Sequence, residues 1–470
     1  MYFQQFYLGC LSHASYVIGS GSIAAVVDPQ RDVGIYIEDA MKQGLSIQHV
    51  IETHLHADFI SGHAELAALT GATIYLGAQA GAKFPHVPVR DGDEVRFGNC
   101  VLRFLETPGH TLESISILVT DTERSPEPFA VLTGDTLFIG DVGRPDLSPN
   151  HTPQQLAGLL YDSLHTKLLT LPDAVEVYPA HGAGSLCGRQ MSAARSSTIG
   201  QQRTANFALQ AKSREEFVHL LTSELPERPG YFALDAELNR SGPTPLADLP
   251  VPDGLSAPEV QALVGQAPAN AMVLDTRPSG QFGGAHIPGA MHIALSGQFA
   301  SWAGRLIGLD RKIILVAEDR DAMLEAFTRL ARVGMEHVIG YLEEGMTAWF
   351  REGLPVDQVP QVTVQDLHRE IEHLQVIDVR QPGEWDQMRI TQAVLKPLPK
   401  LTTMLQDIDR ERPVAVHCKS GYRSSIATSL LKQNGFTEVM NVIGGIDAWK
   451  ACDFPVAPPP QTAAPANSGT

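Results

Sequence analysis

Hydrophobic and polar positions alternate in short runs over the first 235 residues, and longer helical patterns separate these runs. The segments 16–19 and 23–29 predict a hairpin around Gly19–Gly21. A helix near 33–43 and a strand at 47–51 follow. This alternation indicates a two-sheet α/β domain in which loop ends carry the polar residues. Further strands are predicted at 73–76, 94–97, 101–105, 114–119, 129–132 and 174–178, and helices at 64–69, 153–160 and 213–221.

The pattern changes at 239–254, where dense proline and glycine predict a linker. Two similar units follow, each opening with a strand, at 271–275 and 374–378, and each closing with glycine and tryptophan, at Trp349 and Trp449. An internal repeat is the economical interpretation. We therefore predict domains at 1–237, 255–356 and 361–456, and a disordered tail at 457–470, which is rich in proline, alanine and serine.

Length and composition agree with this division. The chain has 470 residues, and about 150 residues per domain gives roughly three domains. A hydrophobic fraction of 43% allows a sizeable core. The sequence contains no apolar run of about 18 residues, and its first residues do not resemble a signal peptide. We therefore expect a cytoplasmic protein without a membrane partner.

Charge and cysteine usage exclude two further classes of protein. The formal net charge is −18, and such an acidic protein repels phosphate backbones, so we expect no nucleic-acid partner. The cysteines are odd in number, scattered, and never spaced as Cys-x-x-Cys, which argues against disulfides and structural zinc. Free thiols are expected at Cys10, Cys100, Cys187, Cys418 and Cys452.

Residues of metal-binding type stand where predicted strands give way to loops. The strand 47–51 leads into a His-x-His-x-Asp pattern, and three later candidates are each flanked by glycine or proline. A single loop histidine usually has no such role, but the whole set indicates a metal site. The set comprises His54, His56, Asp58, His110, Asp135 and His181.

Over residues 1–235 this set resembles the metallo-β-lactamase superfamily, which implies an αβ/βα sandwich. In the dinuclear members of that superfamily the motif reads His-x-His-x-Asp-His, and here Phe59 stands at the last position. A phenyl ring donates no lone pair, so a second metal loses a ligand and gains an apolar wall. A dinuclear hydrolytic site is therefore disfavoured.

With one metal, His54, His110 and Asp135 form a two-histidine, one-carboxylate set, which leaves open positions and suits Fe(II). The chain resembles the persulfide dioxygenase branch, which uses this arrangement. The resemblance implies one Fe(II) per chain and the oxidation of a low-molecular-weight thiol persulfide by O₂ to sulfite. It also implies that His56, Asp58 and His181 surround the ligands and orient them. A degenerate hydrolase site or a zinc site remains the alternative.

Two more residues receive roles from this resemblance. Arg144 lies in a Gly-Arg-x-Asp context that the dioxygenases place at the thiol pocket, where it would hold a carboxylate. A surface salt bridge is the alternative. Cys187 would carry sulfur near the metal, as a loop thiol does in some dioxygenase–rhodanese fusions, or else is buried and inert. Ala183 replaces the tyrosine of the glutathione-specific branch, so glutathione persulfide is not implied.

A second chemical site is predicted around Cys418, which follows an apolar strand and precedes the helical run 425–432. A Cys-x4-Arg loop there directs backbone N–H groups and a helix N-terminus at the sulfur. These groups and Arg423 favour a thiolate nucleophile able to hold a persulfide. Cysteine phosphatase loops carry one more residue between cysteine and arginine. The anion cradle and substrate contacts are expected from Lys419, Ser420, Gly421 and Tyr422.

This loop resembles that of a rhodanese, with the third domain as the active unit. In the preceding repeat, Ala317-Glu318-Asp319-Arg320-Asp321 stands where the cysteine belongs. A carboxylate cannot form a persulfide and would repel anionic substrates. We therefore expect the middle domain to be rhodanese-like and catalytically silent.

Together the resemblances cover nearly the whole chain and imply a persulfide dioxygenase coupled to sulfur transfer. Expected partners are a thiol persulfide, O₂, sulfite and thiosulfate, and the family implies self-association into a homo-oligomer. Two alternatives stay open: a dinuclear zinc thioester hydrolase of the glyoxalase II type, and a sulfurtransferase or sulfur carrier with a vestigial metal domain.

Overall fold

The protein is described by a computed structural model that covers residues 1–223, 225, 227–266 and 271–457. The chain forms two compact units. The first comprises 1–250 with 303–309 and 328–336, and the second comprises 251–302, 310–327 and the chain from residue 337 onward.

The first unit contains two six-stranded sheets. The strands of the first sheet are β1 (Tyr2–Leu8), β2 (His13–Ser20), β3 (Ile23–Val27), β4 (Ser46–Ile51), β5 (Thr73–Gly77) and β6 (Val87–Val89). Neighbouring strands from β1 to β3 pair antiparallel, and those from β3 to β6 pair parallel. The second sheet contains β7 (Glu94–Phe97), β8 (Cys100–Glu106), β9 (Ile115–Asp121), β10 (Ala130–Gly134), β11 (Glu176–Pro179) and β12 (Ser197–Thr198).

The two sheets pack face to face over one apolar core. Tyr16 and Ile51 of the first sheet join Phe104 and Leu132 of the second sheet in this core, and all four are fully buried. Helices cover the outer faces, so the unit is an αβ/βα sandwich, as predicted. The helices are α1 (Gly34–Lys42), α2 (His63–Thr70), α3 (Pro153–Thr166), α4 (Ile199–Ala205), α5 (Arg214–Thr222) and α6 (Phe232–Ser241).

Three local predictions need correction. Strand β2 begins at His13, three residues before the predicted start at residue 16. The predicted linker 239–254 is helical at its start, because α6 runs to Ser241 and buries Asn239. Helix α3 extends past the predicted residue 160, and a capping box between Thr152 and Gln155 starts it.

The second unit repeats one topology twice. Each half has a five-stranded parallel sheet. When the strands are numbered one to five in chain order, both sheets have the same order from edge to edge: first, fifth, fourth, second, third. The first half contains β13 (Gly254–Leu255), β14 (Ala271–Asp275), β15 (Met291–His292), β16 (Lys312–Val316) and β17 (Val338–Leu342). Its helices are α7 (Ala257–Gln266), α8 (Ser279–Gly284), α9 (Phe299–Leu306), α10 (Arg320–Ala331) and α11 (Gly345–Arg351).

The second half has the sheet β18 (Gln361–Val362), β19 (Gln375–Asp378), β21 (Val394–Leu395), β22 (Val414–His417) and β23 (Val439–Val442). A separate antiparallel pair joins β20 (Arg389–Ile390) to β24 (Val456–Ala457). Its helices are α12 (Val364–Glu370), α13 (Pro382–Gln387), α14 (Tyr422–Gln433) and α15 (Gly445–Ala451). Ala457 thus ends a strand, and the rest of the predicted tail lies outside the described residues. Among the described helices, none has both the length and the apolar character needed to cross a membrane.

Candidate metal centre and sulfur-transfer loop

Three predicted ligands meet at one edge of the sandwich. His54 follows β4, His110 follows β8, and Asp135 follows β10. The Asp135 Oδ2 lies 3.9 Å from His54 Nε2 and 3.4 Å from His110 Nε2. All three side chains are buried.

The hydrogen bonds of the two histidines leave their Nε2 lone pairs facing the carboxylate. His110 donates from Nδ1 to the carbonyl oxygen of Arg144 (2.9 Å). His54 Nδ1 lies 3.0 Å from Thr53 Oγ1, which itself donates to Asp28 and therefore accepts from the histidine. These bonds fix the tautomer that a metal ligand needs.

The donor atoms fit a metal ion. His54 Nε2, His110 Nε2 and Asp135 Oδ2 are buried and have no hydrogen-bond partner. Burying three polar atoms without a partner lowers the stability of the fold. Their ligand atoms lie within 4.8 Å of one another, so one cation would satisfy all three.

The protonation states also suit metal binding. Burial lowers the pKa of His54 and of His110, which keeps both imidazoles neutral. For Asp135, burial favours the neutral acid, but His181 and the other two histidines outweigh it and hold the pKa of Asp135 well below its ordinary value. A neutral histidine pair with an ionised carboxylate is the state in which these residues bind a cation.

Asp28 supports this arrangement from a strained backbone position. Its φ is +50°, a left-handed conformation that is uncommon outside glycine. Its two carboxylate oxygens accept from Thr53 N (2.7 Å) and Thr53 Oγ1 (2.8 Å). Asp28 was not among the predicted site residues, because 25 residues separate it from Thr53.

The three residues expected to surround the ligands lie close to them. His181 spans Asp135 Oδ1 (2.8 Å from Nδ1) and Asp58 Oδ2 (3.0 Å from Nε2). Burial opposes its protonation, but these two carboxylates raise the pKa of His181 well above its ordinary value. His56 Nε2 lies 3.2 Å from Asp28 Oδ1 and 3.5 Å from Glu52 Oε2, in a group separate from the His54 set.

Phe59 forms an apolar wall beside these groups. Its fully buried ring lies 4.2 Å from the ring of His13 and 4.4 Å from that of His56, centroid to centroid. Neither ring nitrogen of His13 has a hydrogen-bond partner in the described structure, and the residue pairs by a backbone bridge with His181. The sequence analysis missed His13 because it placed the start of β2 too late.

Asn239 secures the loop that carries the motif. Its amide nitrogen donates to His56 O and Phe59 O (both 2.8 Å), and its oxygen accepts from Ser61 N (2.9 Å). The side chain is 1% exposed. Three backbone groups of the loop therefore depend on this one amide.

Replacing Asn239 with alanine should leave those groups unpaired and lower the free energy of unfolding by about 1–3 kcal/mol. Metal affinity should fall as well, since the loop holds His54 and His56. Denaturant unfolding and metal titration measure both effects. The exposed Asn99→Ala is the control, and equal stability of the two variants would contradict this role.

The arginine and cysteine near this site have distinct settings. Asp146 occupies the guanidinium of Arg144 in a two-pronged contact (2.7 and 2.9 Å), and Arg144 also donates to Leu186 O (3.2 Å). Cys187 is buried, with its Sγ in a group with Asp58 and His181. Burial and then the nearby carboxylates raise the pKa of Cys187 well above its ordinary value.

The loop of Cys418 has the geometry of an anion cradle. The Sγ accepts from Gly421 N (3.1 Å) and from Ser424 Oγ (3.5 Å). Ile446 N donates to Cys418 O (2.9 Å) and Asp447 N donates to Lys419 O (3.1 Å), so the start of α15 binds the loop carbonyls. With these carbonyls bound by α15, the amide of Gly421 faces the sulfur.

Gly445 makes this approach possible. A Cβ there would lie 2.4 Å from Cys418 O, and its φ is +53°. A glycine at position 445 is therefore required by the sulfur-transfer loop.

The remaining loop residues differ in their contacts. Arg423 makes a two-pronged ion pair with Glu384 (2.6 and 2.8 Å), a partner that the sequence analysis did not identify. Tyr422 donates from its hydroxyl to Ala294 O (3.0 Å), and Lys419 and Ser420 are exposed.

Both halves of the second unit also share a buried ion pair two residues apart. Arg277 binds Asp275 and Arg380 binds Asp378, each with a closest contact of 2.6 Å. The first half therefore keeps the rhodanese-like framework, although Ala317 follows its β16 at the position where Cys418 follows β22, and Glu318 comes next.

Comparison with known proteins assigns both parts of the chain to known families. The metallo-beta-lactamase superfamily matches residues 8–181, and the rhodanese-like domain matches 256–352 and 363–452. Human mitochondrial persulfide dioxygenase ETHE1 is 31% identical over 228 residues, which is 48% of this chain and 82% of that protein. A hydroxyacylglutathione hydrolase of Rhodopseudomonas palustris (strain BisB18) is 32% identical over 223 residues, or 47% of this chain and 76% of that protein.

A crystal structure extends the likeness beyond the first domain. The metallo-beta-lactamase from Staphylococcus aureus subsp. aureus COL is 32% identical, with a TM-score of 0.65, and the match covers 72% of this chain and 98% of that one. The chain therefore belongs to the metallo-β-lactamase superfamily, as a fusion of a domain homologous to persulfide dioxygenase with two rhodanese-like domains.

Proposed function

We propose that the first domain is a mononuclear iron persulfide dioxygenase, which oxidises a low-molecular-weight thiol persulfide with O₂ to sulfite. The observation that carries this proposal is the convergence of three buried, unpaired donor atoms on His54, His110 and Asp135 beside the Phe59 ring. Bound Fe(II) would supply the redox chemistry that directs O₂ to a persulfide sulfur. The likeness to a persulfide dioxygenase supports the same activity.

The surrounding residues orient the ligands and shape the space beside them. His181, held between Asp58 and Asp135, fixes the orientation of the Asp135 carboxylate. Phe59 keeps this side of the site apolar and excludes water from it. Cys187 is a candidate sulfur carrier by position, since its thiol lies with Asp58 and His181, but its raised pKa argues against a standing thiolate.

Arg144 is proposed to act indirectly. Because Asp146 already occupies its guanidinium, a substrate carboxylate would have to displace that contact. The geometry favours a role for Arg144 in holding the loops of Cys187 and His110, to which its backbone also bonds.

The third domain is proposed to transfer sulfane sulfur through Cys418. Its thiolate attacks the outer sulfur of a donor, the donor's S–S bond breaks, and the displaced thiol or sulfite leaves with the electron pair. Gly421 N and Ser424 Oγ would stabilise the negative charge on Sγ before attack. In the reverse step sulfite takes the sulfur from Cys418 and leaves as thiosulfate.

A thioester hydrolase is the second candidate, because hydroxyacylglutathione hydrolases are similar to the first domain. Phe59 argues against the dinuclear site of that reaction. Metal analysis combined with an oxygen electrode separates the two functions. One iron per chain with persulfide-dependent O₂ uptake supports the dioxygenase, whereas two zinc ions with thioester turnover and no O₂ uptake would overturn it.

Replacing Phe59 with histidine should raise the bound metal from about one to about two per chain. The new imidazole would stand next to Asp58 and His181 and complete a second set of ligands. Metal content after loading and desalting measures the change. Phe59→Leu, which stays apolar, is the matched control and should still bind one metal. Two metals in the unmutated protein would refute this interpretation of Phe59.

A further inference from the structure

A cavity of about 360 Å³ lies beside the Cys418 loop, and both halves of the second unit line it. Ser420, Gly421 and Tyr422 contribute one wall. The opposite wall comes from the half that has no catalytic cysteine, through Thr276, His292, Ser296 and Glu318. Cys418 itself is 1% exposed, and the residues that follow it in the loop line the cavity, so the cavity offers a donor a route to the loop.

Hydrogen bonds between the halves hold the walls in place. Tyr422 donates to Ala294 O (3.0 Å), and Ser429 Oγ accepts from His292 N (3.0 Å). His292 donates from Nε2 to Arg277 O (2.9 Å), so its Nδ1 accepts from Ser425 Oγ (2.8 Å). Specific hydrogen bonds between the two halves therefore define the walls of the cavity.

Glu318 gives this cavity its charge. Among the described residues that line it, Glu318 is the one carboxylate, and none is a lysine or arginine. Burial lowers the pKa of His292, which disfavours a positive charge on that ring. Gln281 Nε2 donates to Glu318 Oε1 (2.6 Å), which restrains the carboxylate. The chain thus places a fixed negative charge in the cavity wall contributed by the half without a cysteine.

We infer that Glu318, which the cysteine-less half contributes to this cavity, selects against dianionic sulfur donors such as thiosulfate in favour of persulfides of lower charge. This inference rests on the proposed sulfurtransferase function of Cys418. In each case the Cys418 thiolate takes the outer sulfur, the donor's S–S bond breaks, and sulfite or a thiolate leaves with the bonding electrons. The donors differ in charge while the reaction stays the same.

The expected selectivity follows from Coulomb's law. If the two charges are taken to be about 7 Å apart in an effective dielectric constant of roughly 40 to 80, removing the glutamate charge changes binding roughly 3- to 8-fold per unit of donor charge. A dianion should therefore gain about 10-fold or more, and a donor without net charge should change far less. High salt should reduce the difference, because the cavity is open to solvent.

The test compares donors of different charge in the full chain, under argon so that O₂ consumes none of the persulfide. Thiosulfate carries two negative charges, the persulfide of 2-mercaptoethanol carries one, and cysteamine persulfide has no net charge. Thiocyanate formation from cyanide gives kcat/KM for each donor, after subtraction of the reaction without enzyme. In Glu318→Gln, kcat/KM for thiosulfate should rise about 10-fold relative to cysteamine persulfide, with the 2-mercaptoethanol persulfide in between.

Glu352→Gln is the matched control, since Glu352 is exposed on the same half and does not line the cavity. It should leave the ratio among donors unchanged. If Glu318→Gln changes all donors equally, or none, Glu318 does not select by charge and the inference is wrong. If the wild-type protein transfers sulfur from none of the donors, the proposed function of Cys418 fails, and the inference fails with it.

Discussion

Replacing His110 with alanine should reduce bound iron from about one per chain to near zero and abolish persulfide-dependent O₂ uptake. His110 contributes one of three converging donor atoms, and its Nδ1 bond to Arg144 O orients that donor. Loss of a group that merely orients a ligand typically costs about 10- to 100-fold, so removing a ligand should cost more than about 100-fold. An oxygen electrode and metal analysis of the same preparation measure the two effects.

His219→Ala serves as the control, because this histidine is exposed on α5 and lies outside the metal-binding groups of the described residues. It should retain both iron and O₂ uptake. Full O₂ uptake by His110→Ala would remove the His54, His110 and Asp135 set from the mechanism. Sulfur transfer to cyanide should survive in both variants, which shows that the chain still folds.

Replacing Cys418 with serine should abolish sulfur transfer from thiosulfate to cyanide, by more than about 1,000-fold, and leave O₂ uptake within about twofold. A serine hydroxyl stays protonated near neutral pH and cannot carry a sulfane sulfur. The serine oxygen is smaller than the buried sulfur that it replaces, and it can accept from the same groups, Gly421 N and Ser424 Oγ. The substitution should therefore introduce little strain. Thiocyanate formation and oxygen consumption are the two measurements.

The matched control is Cys452→Ser, a half-buried cysteine at the end of α15 whose sulfur accepts from Gln365. It should keep full transfer. Unchanged transfer in Cys418→Ser would show that another thiol carries the sulfur, and Cys187→Ser would then be the next variant to measure.

Sequence patterns could select both sets of candidate residues because these residues follow strands. His54, His110 and Asp135 each stand where an apolar run ends, and parallel or adjacent strands bring such ends together at one edge. The Cys418 loop was predicted for the same reason, since it lies between a buried strand and a helix. Their mutual approach follows from the sandwich fold and the parallel sheet.

The groups that hold these centres in place were not predicted, because they come from distant parts of the chain. Asn239 bonds to backbone atoms about 180 residues earlier, and its setting before a Pro- and Gly-rich stretch favoured a linker. Glu384 meets Arg423 across 39 residues. No local spacing marks either contact, and both depend on how separate elements pack.

Arg144 shows a different limit. Its Gly-Arg-x-Asp context was interpreted as a substrate pocket, yet the aspartate of that same context, Asp146, binds its guanidinium. A motif gives the residues but leaves open which of them pair with each other. His13 was missed because a strand boundary shifted by three residues.

The placement of the three donors on both sheets has a mechanical consequence. His54 extends from the first sheet, and His110 and Asp135 extend from the second, so a cation bound by all three would cross-link the two layers at their open edge. Chelation should therefore loosen the sandwich from that edge inward. Amide hydrogen exchange should rise first in the connections after β4, β8 and β10, and proteases should cut the metal-free chain there before they reach the helices.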